Sequence, residues 1–178
     1  EIFWRMLKYE EFDVAELSMG AFLVAAAQGG RRPFMAIPVF PSRTFRHRCI
    51  FVHASSGIER PEDLSGKRVG VPEYTMTASV WLRGLLQHEY GVAPGEIHWL
   101  QGGEEQPGRK DRVDFDLPDG IRLDVIPRDR TLNEMIESGE IDALMSPRMP
   151  TCFLRGSPSV RRLFPDFKRV ETDYFRRT

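Results

Sequence analysis

Residues 66–90 read GKRVGVPEYTMTASVWLRGLLQHEY, and this stretch decides the fold class. Its first part, residues 66–72, is a short β-rich run bounded by glycines and is typical of a strand. Its second part, residues 76–90, has apolar residues at helical spacing and ends before Gly91, so it predicts an amphipathic helix. A strand that leads directly into a helix indicates an α/β protein with mainly parallel strand pairing.

Helix and strand patterns alternate on both sides of this stretch, which supports the α/β class. The apolar run at residues 34–40 is typical of a buried parallel strand. Residues 113–125 alternate apolar residues with polar ones around Pro118-Asp119-Gly120, which predicts a β-hairpin. The other predicted helices cover residues 1–9, 21–28 and 61–64, a capping-box helix from Thr131 to Gly139 and a short helix at Ser157-Pro158; the other predicted strands cover residues 12–17, 50–53, 97–100 and 141–145.

Composition excludes several function classes. The 178 residues carry 26 acidic and 25 basic side chains, and this near-neutrality argues against a nucleic-acid or membrane-surface binder. No apolar run is long enough to span a bilayer. The two cysteines form neither a disulfide framework nor a zinc motif, so a reducing compartment and hence the cytoplasm is expected.

The basic residues are 21 arginines and only 4 lysines. Genomic base composition accounts for most of such a bias, but arginine also offers a planar fork that binds carboxylates at two points. The positions of the arginines therefore matter more than their number. The sequence begins at Glu1 without a methionine and ends at Thr178, and we expect both ends to be cut from a longer protein.

Several motifs support a resemblance to a known family. Residues 58–71 resemble the entry into the second lobe of type 2 periplasmic binding proteins. Together with the motifs that follow, they resemble the 4,5-dihydroxyphthalate decarboxylase family, which shares that fold. The motifs are residues 40–47 (FPSRTFRH), 72–78 (PEYTMTA), 99–103 (WLQGG), 107–109 (PGR) and 174–178 (YFRRT).

The resemblance implies two α/β lobes separated by a cleft. Residues 1–53 would form part of lobe one and residues 57–170 would form lobe two. The chain would cross between the lobes near residues 49–56 and again at 171–178, which we expect to be extended. Lobe one would be incomplete, with an opening strand before Glu1 and closing segments after Thr178.

The resemblance also implies an enzyme, a carboxy-lyase of phthalate degradation. It would convert 4,5-dihydroxyphthalate to 3,4-dihydroxybenzoate and carbon dioxide without a cofactor. Such a site needs cations that orient two carboxylates, a proton donor, and a base or cation near the hydroxyl groups. The expected partner is a small aromatic dicarboxylate, with neither nucleic acid nor membrane involved.

The first candidate site residues follow the predicted strand at residues 34–40. Ligands of open α/β sheets bind beyond the carboxyl ends of strands. We therefore expect Arg43 and Arg46 to bind carboxylates and His47 to transfer a proton. The alternative is a solvated basic loop.

Further candidates surround the other strand ends. Tyr74, Thr75 and Thr77 lie at the predicted helix N-terminus, which favours anions, although either threonine could simply cap the helix. Glu73 could act as a base for a substrate hydroxyl or form a structural hydrogen bond. The remaining substrate-binding candidates are Arg148, which could instead be a surface arginine, Tyr174, which could stack on an aromatic ring, and Arg176.

Three alternatives stay open. The chain could be a noncatalytic solute-binding protein that delivers a small organic acid to an ABC-type transporter, in which case it would be periplasmic. A divalent metal could be held by His47 with Glu73, Glu104 or Glu105, although no ligand motif supports this. A homo-oligomer is compatible with the sequence.

Overall fold

The computed structural model describes residues 2–27, 34–42, 44–108 and 115–178. Within these ranges the chain forms six α-helices, six strands and three 3₁₀ turns. In chain order the elements are α1 (Ile2–Tyr9), α2 (Met19–Ala27), a 3₁₀ turn (His47–Cys49), β1 (Ile50–His53), a 3₁₀ turn (Pro61–Leu64), β2 (Arg68–Val71), α3 (Thr77–Tyr90), a 3₁₀ turn (Pro94–Glu96), β3 (His98–Gln101), β4 (Arg122–Val125), α4 (Leu132–Ser138), β5 (Ala143–Met145), α5 (Thr151–Leu154), β6 (Val160–Arg162) and α6 (Phe167–Arg177).

The six strands form one mixed sheet in the order β4-β3-β2-β5-β1-β6. Four neighbouring strands, β4, β3, β2 and β5, run parallel. β1 is antiparallel to both β5 and β6. The predicted α/β class is therefore confirmed, and its mainly parallel pairing holds for β2, β3, β4 and β5.

The register brings the ends of the central strands to one edge of the sheet. Val71 at the end of β2 pairs with Gln101 at the end of β3, and Gly70 pairs with Leu144 of β5. Ile50 at the start of β1 pairs with Met145 at the end of β5. The loops that follow β2, β3 and β5, and the turn that precedes β1, therefore leave the sheet side by side. We call this border the carboxyl edge.

Helices cover both faces of the sheet because its buried strands carry apolar side chains on both sides. One face packs Val69, Val71 and Trp99 against Leu82 and Leu86 of α3. The opposite face packs Phe51 and Leu144 against Leu132 and Ile136 of α4 and Cys152 of α5. The result is a three-layer core in which the sheet lies between two layers of helices.

Gly70 of β2 allows close packing between the sheet and α4. A Cβ atom at this position would lie 2.7 Å from Cδ1 of Ile141 and 2.9 Å from Cδ2 of Leu132, and both of these side chains are fully buried. Any larger residue would have to push them aside in a close-packed interior.

A buried hydrogen-bonded pair, Glu171 with His47, holds α6 against the rest of the fold. The carboxylate of Glu171 accepts the backbone N–H groups of Arg46 at 2.9 Å and His47 at 2.8 Å. It also accepts Nδ1–H of His47, and the His47 ring nitrogen Nε2 lies 2.7 Å from the hydroxyl of Tyr90. Burial raises the pKa of Tyr90 to about 12, so its hydroxyl keeps the proton that it can donate.

Aromatic side chains enclose this hydrogen-bonded pair. The His47 ring meets the rings of Phe164 and Tyr174 edge to face, with centroids 4.9 and 6.0 Å apart. Apolar rings exclude water, which strengthens the hydrogen bonds within the cluster. The turn before β1, the end of α3 and the middle of α6 are therefore joined through the carboxylate of Glu171 and the imidazole of His47.

Two predicted strand regions differ from the structure. Residues 34–40 form no strand, and Met35, Ile37, Val39 and Phe40 are exposed. Pro38 lacks the N–H that a ladder needs, and no described strand pairs with this run. The predicted hairpin is also wrong, because residues 115–117 are not in a strand and β4 pairs in parallel with β3.

Three further predictions are wrong. Residues 12–17 form no strand, and Val14 is 81% exposed without a partner strand in the described ranges. Ser157-Pro158 begin no helix; they lie in the turn before β6, whereas α5 begins earlier, after Pro150. Residues 171–178 are not extended, because the buried contacts of Glu171 hold residues 167–177 in α6.

Most other elements are confirmed to within two or three residues, among them α1, α2, α3 and the capping-box helix α4. Thr131 accepts the backbone N–H of Glu134 at 3.2 Å, and the Glu134 side chain accepts the N–H of Thr131 at 3.1 Å. The predicted division into lobes at residues 1–53 and 57–170 stays a prediction.

Replacing Gly70 with alanine should lower the free energy of unfolding by about 1–3 kcal/mol, because the added methyl overpacks the contact with Ile141 and Leu132. Urea unfolding measures the change. Gly84→Ala in α3 is the matched control: a Cβ there meets nothing within 4 Å, so helix propensity should stabilise this variant by about 0.5–1 kcal/mol. Equal effects of both substitutions would contradict the packing argument.

The Glu171 carboxylate should make stability depend on acid pH. Burial raises the pKa of Glu171, but the hydrogen bonds from His47 and from the two backbone amides outweigh burial and leave it below the ordinary value of 4.5. The unfolded carboxyl therefore takes up a proton at a higher pH than the folded one. Its contribution to stability is complete above pH 4.5 and is lost as pH falls through the folded pKa.

The test compares urea unfolding of Glu171→Gln with the unaltered protein between pH 7 and pH 3. We expect a loss of about 2–3 kcal/mol at pH 7 that shrinks below pH 4.5, because a protonated carboxyl resembles an amide. Glu59→Gln, at an exposed ion pair with Arg161, is the control and should cost less than about 1 kcal/mol. If the loss of unfolding free energy in Glu171→Gln is the same at every pH, the lowered pKa of Glu171 is refuted.

Candidate functional site

Buried polar side chains concentrate at the carboxyl edge. Glu73 and Thr75 follow β2 and are 2% and 4% exposed. Glu104 follows β3 and Ser146 follows β5, and both are buried. Because buried carboxyl and hydroxyl groups carry a large desolvation cost, their concentration at one edge marks it as the candidate functional site.

Hydrogen bonds connect the loops of this edge. The Ser146 hydroxyl donates to Oε2 of Glu104 at 2.6 Å, which joins the loop after β5 to the loop after β3. The backbone N–H of Tyr74 donates to Oε1 of Gln101 at 2.8 Å, which joins the loop after β2 to the end of β3. The three loops therefore support one another and present a fixed arrangement of polar groups.

The ring of Tyr74 contacts both a cation and another aromatic ring. The guanidinium of Arg83 lies 3.6 Å from the centre of the Tyr74 ring and donates to the Tyr74 carbonyl at 2.7 Å. The ring of Phe115 stacks parallel to it at 5.9 Å. Burial raises the pKa of Tyr74 although Arg83 opposes the shift, so the hydroxyl is a neutral hydrogen-bonding group at pH 7.

The start of α3 is in contact with the start of α2. The Thr77 hydroxyl accepts the backbone N–H of Gly20 at 3.0 Å and lies 3.0 Å from the hydroxyl of Ser18. A Cβ on Gly20 would overlap the carbonyl oxygen of Thr75, so only glycine permits this approach. The two helix N-termini, each the positive end of a helix dipole, therefore lie together.

The capping interpretation of the threonines is wrong. The residue at the cap of α3 is Met76, which makes no side-chain cap, and Thr77 is the first residue of the helix. Thr75 is buried in the loop before the helix, and the hydroxyl of Thr77 bonds to α2. Both side chains thus lie at the carboxyl edge, where their proposed role in substrate binding stays a prediction.

The other predicted site residues are scattered. Arg46 and His47 do not follow a strand, because residues 34–40 form none, and their backbone amides bind Glu171. The His47 side chain is 2% exposed and both ring nitrogens are engaged, so its role as proton donor stays a prediction that its burial does not favour. Arg43 lies outside the described residues.

The three remaining candidates are in different positions. Arg148 follows β5 as predicted, is exposed, and donates its backbone N–H to the Ser146 hydroxyl at 3.2 Å. Tyr174 and Arg176 lie on α6 rather than on an extended crossing. Tyr174 packs on His47, and the exposed Arg176 pairs with Asp173 at 3.6 Å. The structure thus brings Glu73, Tyr74, Thr75, Thr77 and Arg148 to the carboxyl edge.

Sequence reasoning missed Gln101 and Ser146 as members of this edge and considered Glu104 only as a metal ligand. Their positions could have indicated them, because Gln101, Glu104 and Ser146 each lie at or just after the end of a predicted strand, where ligands of α/β sheets bind. Within the described ranges, no group of three or more His, Cys, Asp or Glu side chains is placed to hold a metal ion. The alternative of a metal site on His47 and the glutamates therefore finds no support there.

None of the helices in the described ranges has the length and apolar character that crossing a lipid bilayer requires. Comparison with protein families matches residues 1–108 to a family described as "ABC transporter, phosphonate, periplasmic substrate-binding protein". This match is in keeping with the mixed α/β sheet and with a polar site at the ends of its strands.

Two curated relatives match nearly the whole chain. A 4,5-dihydroxyphthalate decarboxylase of Comamonas testosteroni is 44% identical over 177 residues, which are 99% of this chain and 53% of the relative. A 4,5-dihydroxyphthalate decarboxylase of Pseudomonas putida is 41% identical over 176 residues, again 99% of this chain and 68% of the relative. The chain thus spans about half the length of the first relative and about two thirds of the second. From this identity and the family match, the chain belongs to the 4,5-dihydroxyphthalate decarboxylase family, with a fold of the type 2 periplasmic-binding-protein kind.

Proposed function

We propose that the protein is a carboxy-lyase that converts 4,5-dihydroxyphthalate to 3,4-dihydroxybenzoate and carbon dioxide. The observation that carries this proposal is the identity of 41–44% to two curated decarboxylases over 99% of the chain. The buried polar groups at the carboxyl edge agree with it, because a reaction of this kind needs fixed acid, base and hydrogen-bonding groups in one place.

The reaction needs no redox change. The hydroxyl para to the departing carboxylate releases electron density into the ring, and a proton supplied by solvent water adds to the ring carbon that bears this carboxylate. The bond from that carbon to the carboxylate then breaks, its electron pair restores the aromatic ring, and carbon dioxide leaves. A base that takes the hydroxyl proton and cations that fix the carboxylates lower the barrier by stabilising charge and by orientation.

We assign the base to Glu73. Its carboxyl is buried in the loop after β2, beside Tyr74 and Thr75, and a carboxylate is a group that can accept the proton of a substrate hydroxyl. Tyr74 and Thr75 would contact the substrate from the loop after β2, and Thr77 from the start of α3. Arg148 would bind a carboxylate from the loop after β5. No metal or cofactor takes part in this scheme.

His47 has a different part in this proposal. Its ring is enclosed by aromatic side chains and paired with Glu171, which suits a positioning residue that fixes the turn before β1. Arg46 and Arg176 remain outside the binding set, and Tyr174 contributes to the packing around His47. We place the enzyme in the cytoplasm, with a small aromatic dicarboxylate as its partner.

A second candidate function is a noncatalytic solute-binding protein for a small organic acid. The observation in its favour is the family match over residues 1–108, whose description is that of a periplasmic substrate-binding component. Such a protein would bind the same class of ligand at the carboxyl edge without changing it, and it would work in the periplasm.

Incubation of the full-length protein with 4,5-dihydroxyphthalate separates the two functions. The enzyme proposal predicts release of carbon dioxide and formation of 3,4-dihydroxybenzoate, both followed with time by chromatography and gas analysis. Phthalate, which lacks both hydroxyl groups, is the control substrate and should bind without turnover. Binding of 4,5-dihydroxyphthalate without any product would contradict the enzyme and support the solute-binding function.

Replacing Glu73 with glutamine should lower kcat at least about 100-fold and change KM by less than about threefold, because the amide keeps the shape but cannot accept a proton. Steady-state kinetics measure both constants. Glu105→Gln is the control, since its carboxylate accepts the backbone N–H of Thr151 at 2.8 Å and should be dispensable for proton transfer. Unchanged kcat in Glu73→Gln would remove this residue as the base.

A further inference from the structure

Most arginines of the described residues are neutralised locally. Their guanidinium groups pair with carboxylates, which agrees with the near-zero net charge of the chain. Such pairs leave an arginine with little capacity for another anion. The pairs include Arg5–Glu11, Arg60–Asp63, Arg68–Asp142, Arg122–Asp124, Arg130–Glu140, Arg155–Glu137, Arg161–Glu59, Arg169–Asp166, Arg176–Asp173 and Arg177–Glu89.

Three arginines near the end of β5 differ from this pattern. Arg48, Arg148 and Arg162 form no ion pair with any carboxylate of the described residues, and we call them the arginine cluster. Arg48 donates through Nη2 to the carbonyl of Pro147 at 3.5 Å. Arg162 places Nη2 3.1 Å from the sulfur of Met149. Arg148 lies between these two contact points in the sequence.

The register explains why residues so distant in the chain meet. Ile50 pairs with Met145, and the N–H of Ser146 donates to the carbonyl of Cys49 at 3.0 Å, so Arg48 precedes β1 where Pro147 follows β5. Phe51 pairs with Arg162 at the end of β6. The arginine cluster therefore lies along the carboxyl edge, beside the buried pair of Ser146 and Glu104.

Burial and aromatic contacts hold the two inner guanidinium groups in place. Nε of Arg48 and Nε of Arg162 are buried and have no hydrogen-bond acceptor. The guanidinium of Arg162 is surrounded by the rings of Phe51, Phe153 and Phe167, at 5.7, 5.0 and 5.1 Å. Cation–π contacts stabilise the charge, but they supply no acceptor for the N–H groups, so hydrogen-bonding capacity remains.

We propose that the arginine cluster binds a carboxylate of an aromatic ortho-dicarboxylate, and thereby selects this class of ligand. A guanidinium matches a carboxylate through two parallel N–H bonds, and neighbouring forks can hold both groups of a dicarboxylate. The Ser146 hydroxyl, which donates to Glu104 at 2.6 Å, lies next to this position. The inference rests on the proposed function for the identity of the ligand and adds Arg48 and Arg162 to the site.

The probe is phthalate, titrated into the full-length protein by isothermal calorimetry. Arg148→Gln and Arg162→Gln should each raise Kd at least tenfold, and Arg48→Gln should raise it at least fivefold, because each removes a charged donor. Arg122→Gln is the matched control: it lies at the opposite edge of the sheet, where β4 begins and pairs with β3, and should leave Kd within twofold. Benzoate, with one carboxylate, should bind at least tenfold more weakly than phthalate.

Thermal unfolding separates loss of binding from loss of folding. Arg148 is exposed, so its variant should keep the melting temperature of the unaltered protein and decides the outcome even if Arg162→Gln is destabilised. Unchanged Kd in Arg148→Gln, or absence of phthalate binding by the unaltered protein, would overturn the proposal.

The same titration separates this inference from the proposed function. Phthalate binding that depends on the arginine cluster, in a protein that does not turn over 4,5-dihydroxyphthalate, would support the cluster and contradict the enzyme. Turnover of 4,5-dihydroxyphthalate with phthalate affinity unchanged in all three arginine variants would support the enzyme and contradict the cluster.

Discussion

The common direction of β2, β3 and β5 is the constraint on which the candidate site depends. Parallel strands end at the same edge, so Glu73, Glu104 and Ser146 come together although more than 70 residues separate the first from the last. Antiparallel pairing of β1 then brings the turn before it to this edge as well. This arrangement of strands is what brings together buried polar groups that are distant in the sequence.

The second constraint is the distribution of charge. Glu171 is a buried anion, and it is stable there because His47 and two backbone amides supply hydrogen bonds at short range. Most other charges pair at the surface, where each pair contributes little to stability but cancels the local field. Arg48, Arg148 and Arg162, close to the buried polar groups, are among the arginines of the described residues that form no such pair.

The fold could be predicted from the sequence where local patterns decide it. Helix α3, the capping box at Thr131 and the strands β2 and β3 follow from apolar spacing and terminal signals. Residues 34–40 were misassigned because apolar composition does not reveal whether a partner strand exists. The stretch at 171–178 was misassigned because the buried contact of Glu171 with His47 is tertiary and has no local signature.

The site was predictable only where its residues follow strands that the sequence itself indicates. Glu73, Thr75 and Arg148 follow predicted strands, and the rule that ligands bind beyond strand ends was enough to select them. Arg48 and Arg162 could not be selected, because whether an arginine is paired depends on carboxylates that are distant in sequence. Arg176, like Arg148, is predicted to bind the substrate, yet it pairs with Asp173 on the exposed side of α6.

A crystal structure of the full-length protein with bound phthalate would show where the ligand binds. We expect it at the carboxyl edge, with a carboxylate within about 3.2 Å of at least two guanidinium groups of the arginine cluster and its ring towards Glu73 and Tyr74. Phthalate bound away from the ends of β2, β3 and β5, with Arg48, Arg148 and Arg162 untouched, would contradict it.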